Sequence, residues 1–89
     1  MSLPNWNVIK RDSLSFLENI FKFGSFKEAM NFCLKISEIA DENDHHPEIV
    51  ISWGKVIVRW WSHDINGISQ RDKNLAVATE KIYSDFNNV

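Results

Sequence analysis

Three histidines, His45, His46 and His63, are the whole histidine complement of an 89-residue chain, and Asp41, Asp44 and Asp64 stand beside them. Imidazole donates or accepts a proton near neutral pH without a large environmental shift, so several in one cleft point to general acid–base catalysis. Singly, each would be an ordinary surface or hydrogen-bonded residue. Zinc sites draw on the same residue types. Here, however, His45 and His46 are adjacent, and successive side chains of an extended segment point to opposite faces. The helical His-Glu-x-x-His spacing is also absent, so no metal is expected.

The elements that must position these residues are short but legible. Leu14 to Phe23 is dense in aromatic and aliphatic residues with partial alternation and is expected to be a strand. Gly24 ends it. Ser25-Phe26-Lys27-Glu28 has the spacing of a capping box, in which hydroxyl and carboxylate each take a helix-end amide. The helix it opens carries an apolar stripe of Phe26, Ala29, Cys33, Ile36 and Ile39 or Ala40, ending near Ala40. Pro47 forces His46 toward extended geometry, so a strand through Ile49, Ile51 and Trp53 follows. Gly54 then turns the chain into a partner strand whose apolar face is Val56, Val58 and Trp60. Asn66-Gly67 breaks that strand. Ser69 and Asp72 repeat the capping spacing ahead of a closing helix striped by Leu75, Ala78 or Thr79, Ile82 and Phe86. Strand, helix, two strands and helix make an α+β fold, an antiparallel β-sheet with α-helices packed on one face.

Bulk properties narrow the function. No repeat or linker divides residues 1–89, so a single domain is expected. A net charge of -2 with scattered Lys and Arg offers no face for phosphates, which argues against direct nucleic-acid binding. Met1-Ser2-Leu3-Pro4-Asn5-Trp6 lacks the apolar run of a signal peptide and no segment has the length of a membrane span, so a cytoplasmic, non-membrane protein is expected. The single Cys33 fits a reducing compartment and the role of a small packed hydrophobe. A core this small makes self-association an expectation too.

The order of the candidate residues carries further information: Asp41, then His45-His46-Pro47, Trp53, His63 and Asp72. This pattern resembles the signature of the pterin-4a-carbinolamine dehydratases, in which an acidic residue, a His-His-Pro, an aromatic, a second histidine site and an Asp follow at matching spacing. Trp6, the stretch from Phe21-Lys22-Phe23 to Phe26, and Leu75-Ala76 also look like family features, so the resemblance covers nearly the whole chain. Two positions depart from the pattern. Asp41 stands where Glu is usual, and Trp61-Ser62 precedes His63 where many members have Thr.

The resemblance implies dehydration of a 4a-hydroxytetrahydropterin to the quinonoid dihydropterin, with no redox cofactor, downstream of an aromatic amino acid hydroxylase. It implies catalysis by His45, His46 and His63 converging on one pocket. Substrate contacts would come from Asp44, His45, His46, Trp61, Ser62, His63 and Asp64. Asp41 would orient one imidazole or favour its charged form, and Asp72 would support the structure as a helix cap. Trp53 or Trp61 could stack on the pterin, with at least one of them expected in the core. The family also implies a homodimer or homotetramer. Its animal members double as dimerisation cofactors of a homeodomain transcription factor through a helix surface, so a non-catalytic interaction module is the alternative.

Overall fold

The computed structural model describes residues 3–87; Met1 and Ser2, the start of the segment read above for a leader, lie outside them. The elements are β1 (Asn7–Arg11), β2 (Leu14–Lys22), α1 (Phe26–Asn43), β3 (Glu48–Ser52), β4 (Lys55–Trp60) and α2 (Gln70–Asn87). The strands form one antiparallel sheet in the order β1-β2-β4-β3. Register places Leu17 opposite Trp60 and Phe21 opposite Val56, and Ile49 and Ile51 opposite Val58 and Val56. These residues line one face, and α1 and α2 cover it with Ala29, Phe32, Ile36, Ala40, Leu75 and Ala76. The α+β architecture with helices on one face is therefore the observed one.

Four details differ from the sequence reading. β1 was not expected: Asn7-Val8-Ile9-Lys10-Arg11 is mostly polar, yet it pairs along its full length with β2. The turn between them uses Asp12 with positive φ, a conformation that Asp tolerates better than most residues. β3 stops at Ser52, which leaves Trp53 in the tight turn with Gly54 and 77% exposed. α1 continues to Asn43, one turn past Ala40. Finally, Phe32 rather than Phe26 is the buried aromatic of α1, and Phe26 stands outside. Cys33 is half-buried against the core, and burial pushes its thiol up, away from the reactive thiolate.

The open face of the sheet is closed by side chains instead of helices. Phe16 alternates to that side and is nonetheless buried. Trp61 packs against it, and the guanidinium groups of Arg11 and Arg59 lie over its ring. Arg59 also donates to Glu18 (2.7 Å) and Glu48 (2.6 Å), tying β2, β4 and β3 together across the face.

Candidate active site

The end of α1 sets the first two histidines. Asp44 adopts the left-handed conformation (φ 47°), and the His45 amide reaches back to the Ala40 carbonyl at 3.1 Å. This six-to-one closure, together with the left-handed residue, is a Schellman-type end. It reverses the chain so sharply that His45 turns inward, 7% exposed, while His46 faces out. Pro47 then starts the extended run into β3. Asp44, expected to touch substrate, thus has a backbone task. Asp44→Gly is expected to keep full stability, whereas Asp44→Val should cost about 1–2 kcal/mol by forcing a β-branched residue into the left-handed region, as read by thermal melting.

Asp72 is the centre of the buried network. It is fully buried at the start of α2. Its Oδ1 accepts from His45 Nε2 at 2.6 Å. Its Oδ2 accepts from Ser62 Oγ and from the Ser69 backbone amide, each at 2.8 Å, with Ser69 Oγ at 3.1 Å. Ser62 and Ser69 also lie 2.6 Å apart through their hydroxyls. The carboxylate half of the capping box is therefore made, as the spacing predicts. The same carboxylate also joins the end of α1 to the exit of β4, which spacing does not reveal. Burial pushes the Asp72 carboxyl up, but the hydrogen bonds from His45, Ser69 and Ser62, with the charge His45 can carry, outweigh it and hold the group below the usual carboxylate range.

His45 lies parallel to the Trp60 indole, with centroids 6.0 Å apart. Trp60 is fixed in turn by donating to Thr79 Oγ1 at 3.0 Å. These contacts hold His45 by its ring face and one nitrogen.

The other two histidines are placed differently. His46 Nε2 bonds Asp41 Oδ1 at 2.9 Å on the surface, so the shorter Asp at this position reaches its histidine. His63 is exposed, with its ring 4.7 Å from that of Trp61. Trp61 is half-buried, so neither it nor Trp53 is a core residue; the core tryptophans are Trp6 and Trp60. Asp64 pairs with Arg71 at 3.0 Å.

A cavity of about 280 Å³ opens beside His45 and is lined by Asn43, His45, Arg71, Asn74, Leu75 and Ala78. His45 is the one histidine on its wall, so the three histidines do not converge on this cavity. His46 and His63 stand on the outer surface. Asn43, Arg71 and Asn74 were not singled out from sequence. Only the adjacency of Arg71 to Asp72 hinted at one of them. Among the described residues no group of three or more His, Cys, Asp or Glu side chains is arranged to hold a metal ion.

Fold and site together define a small α+β domain in which a buried aspartate joins a histidine pair to the loop bearing a third histidine. A family model described as pterin 4 alpha carbinolamine dehydratase matches residues 1–82, and the chain belongs to that family. Among solved structures, a transcriptional coactivator/pterin dehydratase from Brucella melitensis superposes with a TM-score of 0.81 at 30% identity, covering 91% of this chain and 84% of its own. A pterin dehydratase-like protein identified as a RuBisCO assembly factor in the alpha-carboxysome shares the fold, with a TM-score of 0.75 at 16% identity and 89% coverage of each chain.

Proposed function

We propose that this chain dehydrates 4a-hydroxytetrahydropterin to the quinonoid dihydropterin, with His46 and His63 as the proton-transfer pair and His45 as the residue that positions them. One observation carries the reading. Asp72 grips His45 with one oxygen and Ser62 with the other, at 2.6 and 2.8 Å. His46 and His63 are the next residues along each gripped segment. Both rings are exposed, and the segments that bear them are anchored to one carboxylate, which is the ground for proposing one flat substrate between them.

The reaction removes hydroxide from C4a and a proton from the adjacent ring nitrogen. Hydroxide leaves poorly unless protonated, so one imidazole must donate and one must accept. Asp41 accepts the Nε2 proton of His46, which leaves Nδ1 with a free lone pair when the ring is neutral. His46 is therefore assigned as acceptor of the ring-nitrogen proton, and His63 in its imidazolium form as donor to the departing hydroxyl. Trp61, held against Phe16 and His63, offers an aromatic surface for the pterin. Asp64 stands exposed beside His63, whereas Ser62, expected to touch substrate, is fully buried and serves the segment through its bond to Asp72. No bond in this scheme is oxidised or reduced, so no redox cofactor enters.

The test is to mix the protein with freshly generated 4a-hydroxytetrahydropterin and follow the ultraviolet change. Dehydration above the spontaneous rate, unaffected by a chelator, is expected. Loss of activity on chelation that zinc restores would overturn the metal-free scheme.

A non-catalytic interaction module is the second reading, and one observation favours it. Phe26, Met30 and Leu34 recur every fourth residue along α1 and are 46%, 42% and 61% exposed, a stripe suited to another helix or a second copy. The homo-oligomer expected from sequence is proposed on the same ground. Turnover measured beside a partner pull-down separates the two readings.

A further inference from the structure

His63 stands at the tip of the loop that joins β4 to α2. Backbone bonds close the base of that loop: the Ser62 amide donates to the Gly67 carbonyl at 2.8 Å, and the Gly67 amide donates back to the Ser62 carbonyl at 3.4 Å. The Asn66 carbonyl accepts from the Ser15 amide at 3.1 Å, which ties the far side of the tip to β2. Of the tip side chains from His63 to Asn66, only that of Asp64 hydrogen-bonds another element among the described residues, and its partner is Arg71 at 3.0 Å.

The three histidines are held unequally. A carboxylate holds His45 at 2.6 Å and His46 at 2.9 Å. His63 has no such partner among the described residues and rests only against Trp61. Its direction must therefore come from its chain neighbours, and α2 grips both of them from two consecutive positions. Asp72 holds Ser62, the residue before His63, and Arg71 holds Asp64, the residue after it. Successive side chains leave a helix about 100° apart, so the two ties pull from different directions. A single anchor leaves a segment free to swivel, whereas one on each side of a residue fixes its heading.

Stability does not account for Arg71. It is the second residue of α2, where the helix dipole disfavours a cation. The side chains of Arg71 and Asp64 are 56% and 69% exposed, and exposed pairs of this kind add little to folding.

We propose that Arg71 is a positioning residue for His63: its ion pair with Asp64, together with the bond from Ser62 to Asp72, aims the His63 imidazole at a substrate lying against Trp61. The effect on turnover rests on the dehydratase reading, whereas the tie to His63 is tested without it.

The test joins steady-state kinetics on 4a-hydroxytetrahydropterin to NMR of the histidine rings. Arg71→Gln should lower kcat by about tenfold, because a misplacement of about 1 Å is costly in catalysis. That is short of the roughly 10²–10⁴-fold loss on removing a general acid. KM and the melting temperature should stay near those of the parent chain, and Arg71→Lys should recover part of the lost rate. Asp64→Ala should lower kcat by the same factor, and Asp64→Ala/Arg71→Gln no further, since the two act as one pair. In Arg71→Gln the His63 ring signals should shift or broaden, while those of His46, held by Asp41, stay in place. Parent-like turnover in Arg71→Gln, losses that multiply in the double variant, or unmoved His63 signals would overturn the proposal. A parent chain that does not dehydrate, but whose His63 signals move in Arg71→Gln, would sink the dehydratase reading and leave the tie standing.

Discussion

Replacing His46 or His63 by alanine should each lower turnover by about 10²–10⁴-fold, the range for loss of one general acid or base, with little effect on melting because both rings are exposed. If the two act on one substrate, His46→Ala/His63→Ala should lose far less than the product of the single effects. Asp41→Ala should lower turnover less than His46→Ala, since it frees the imidazole without removing it. His45→Ala should behave differently. It leaves a buried carboxylate short of its shortest hydrogen bond, so its loss of turnover should be accompanied by a loss of stability. Steady-state rates set beside melting curves for the same variants separate the two kinds of residue. Full activity in His46→Ala/His63→Ala would end the assignment of these roles.

The second large effect belongs to Asp72. Its removal strands His45, Ser62 and the Ser69 amide together. Breaking a buried, hydrogen-bonded pair of this kind costs roughly 3–5 kcal/mol. A domain of this size loses about 4–8 °C of melting temperature for each kcal/mol, so Asp72→Ala should melt more than about 10 °C below the parent chain. The pH dependence has a definite sign. The folded-state pKa of Asp72 lies below its ordinary value, so its contribution is fully present above the ordinary aspartate range and is lost as pH falls through the depressed folded value. Acid unfolding should therefore steepen below about pH 4, and Asp72→Asn should flatten that limb. An Asp72→Ala chain with unchanged melting but no turnover would move this residue from support into the chemistry.

Much of this arrangement is legible in the sequence because local chemistry and fold agree. Ser25 and Glu28 mark the start of α1, and the structure shows the Glu28 amide donating to Ser25 Oγ at 3.1 Å. Gly54, with φ 71°, makes the turn between two runs of β-branched residues. Pro47 separates α1 from β3. β1 escaped because an edge strand buries little. Val8 is 58% exposed, and the charged Lys10 and Arg11 read as loop. Trp53 was misplaced because alternation continues through Ser52 and only the turn geometry ends it.

The site divides along the same line. His46 with Asp41 spans one helical turn and a reversal, so sequence spacing could bring them together. The bond between His45 and Asp72 crosses 27 positions, and only the tertiary packing of α1 against α2 makes it.

The most direct measurement is the initial rate at which preformed 4a-hydroxytetrahydropterin loses water, followed by ultraviolet absorbance in buffer alone, with the parent chain, and with the folded His46→Ala/His63→Ala chain. The dehydratase reading predicts a rate well above the spontaneous one for the parent chain, proportional to its concentration, and a return toward the spontaneous rate for the double variant. A parent-chain rate indistinguishable from buffer would contradict it and leave the fold to the interaction-module reading.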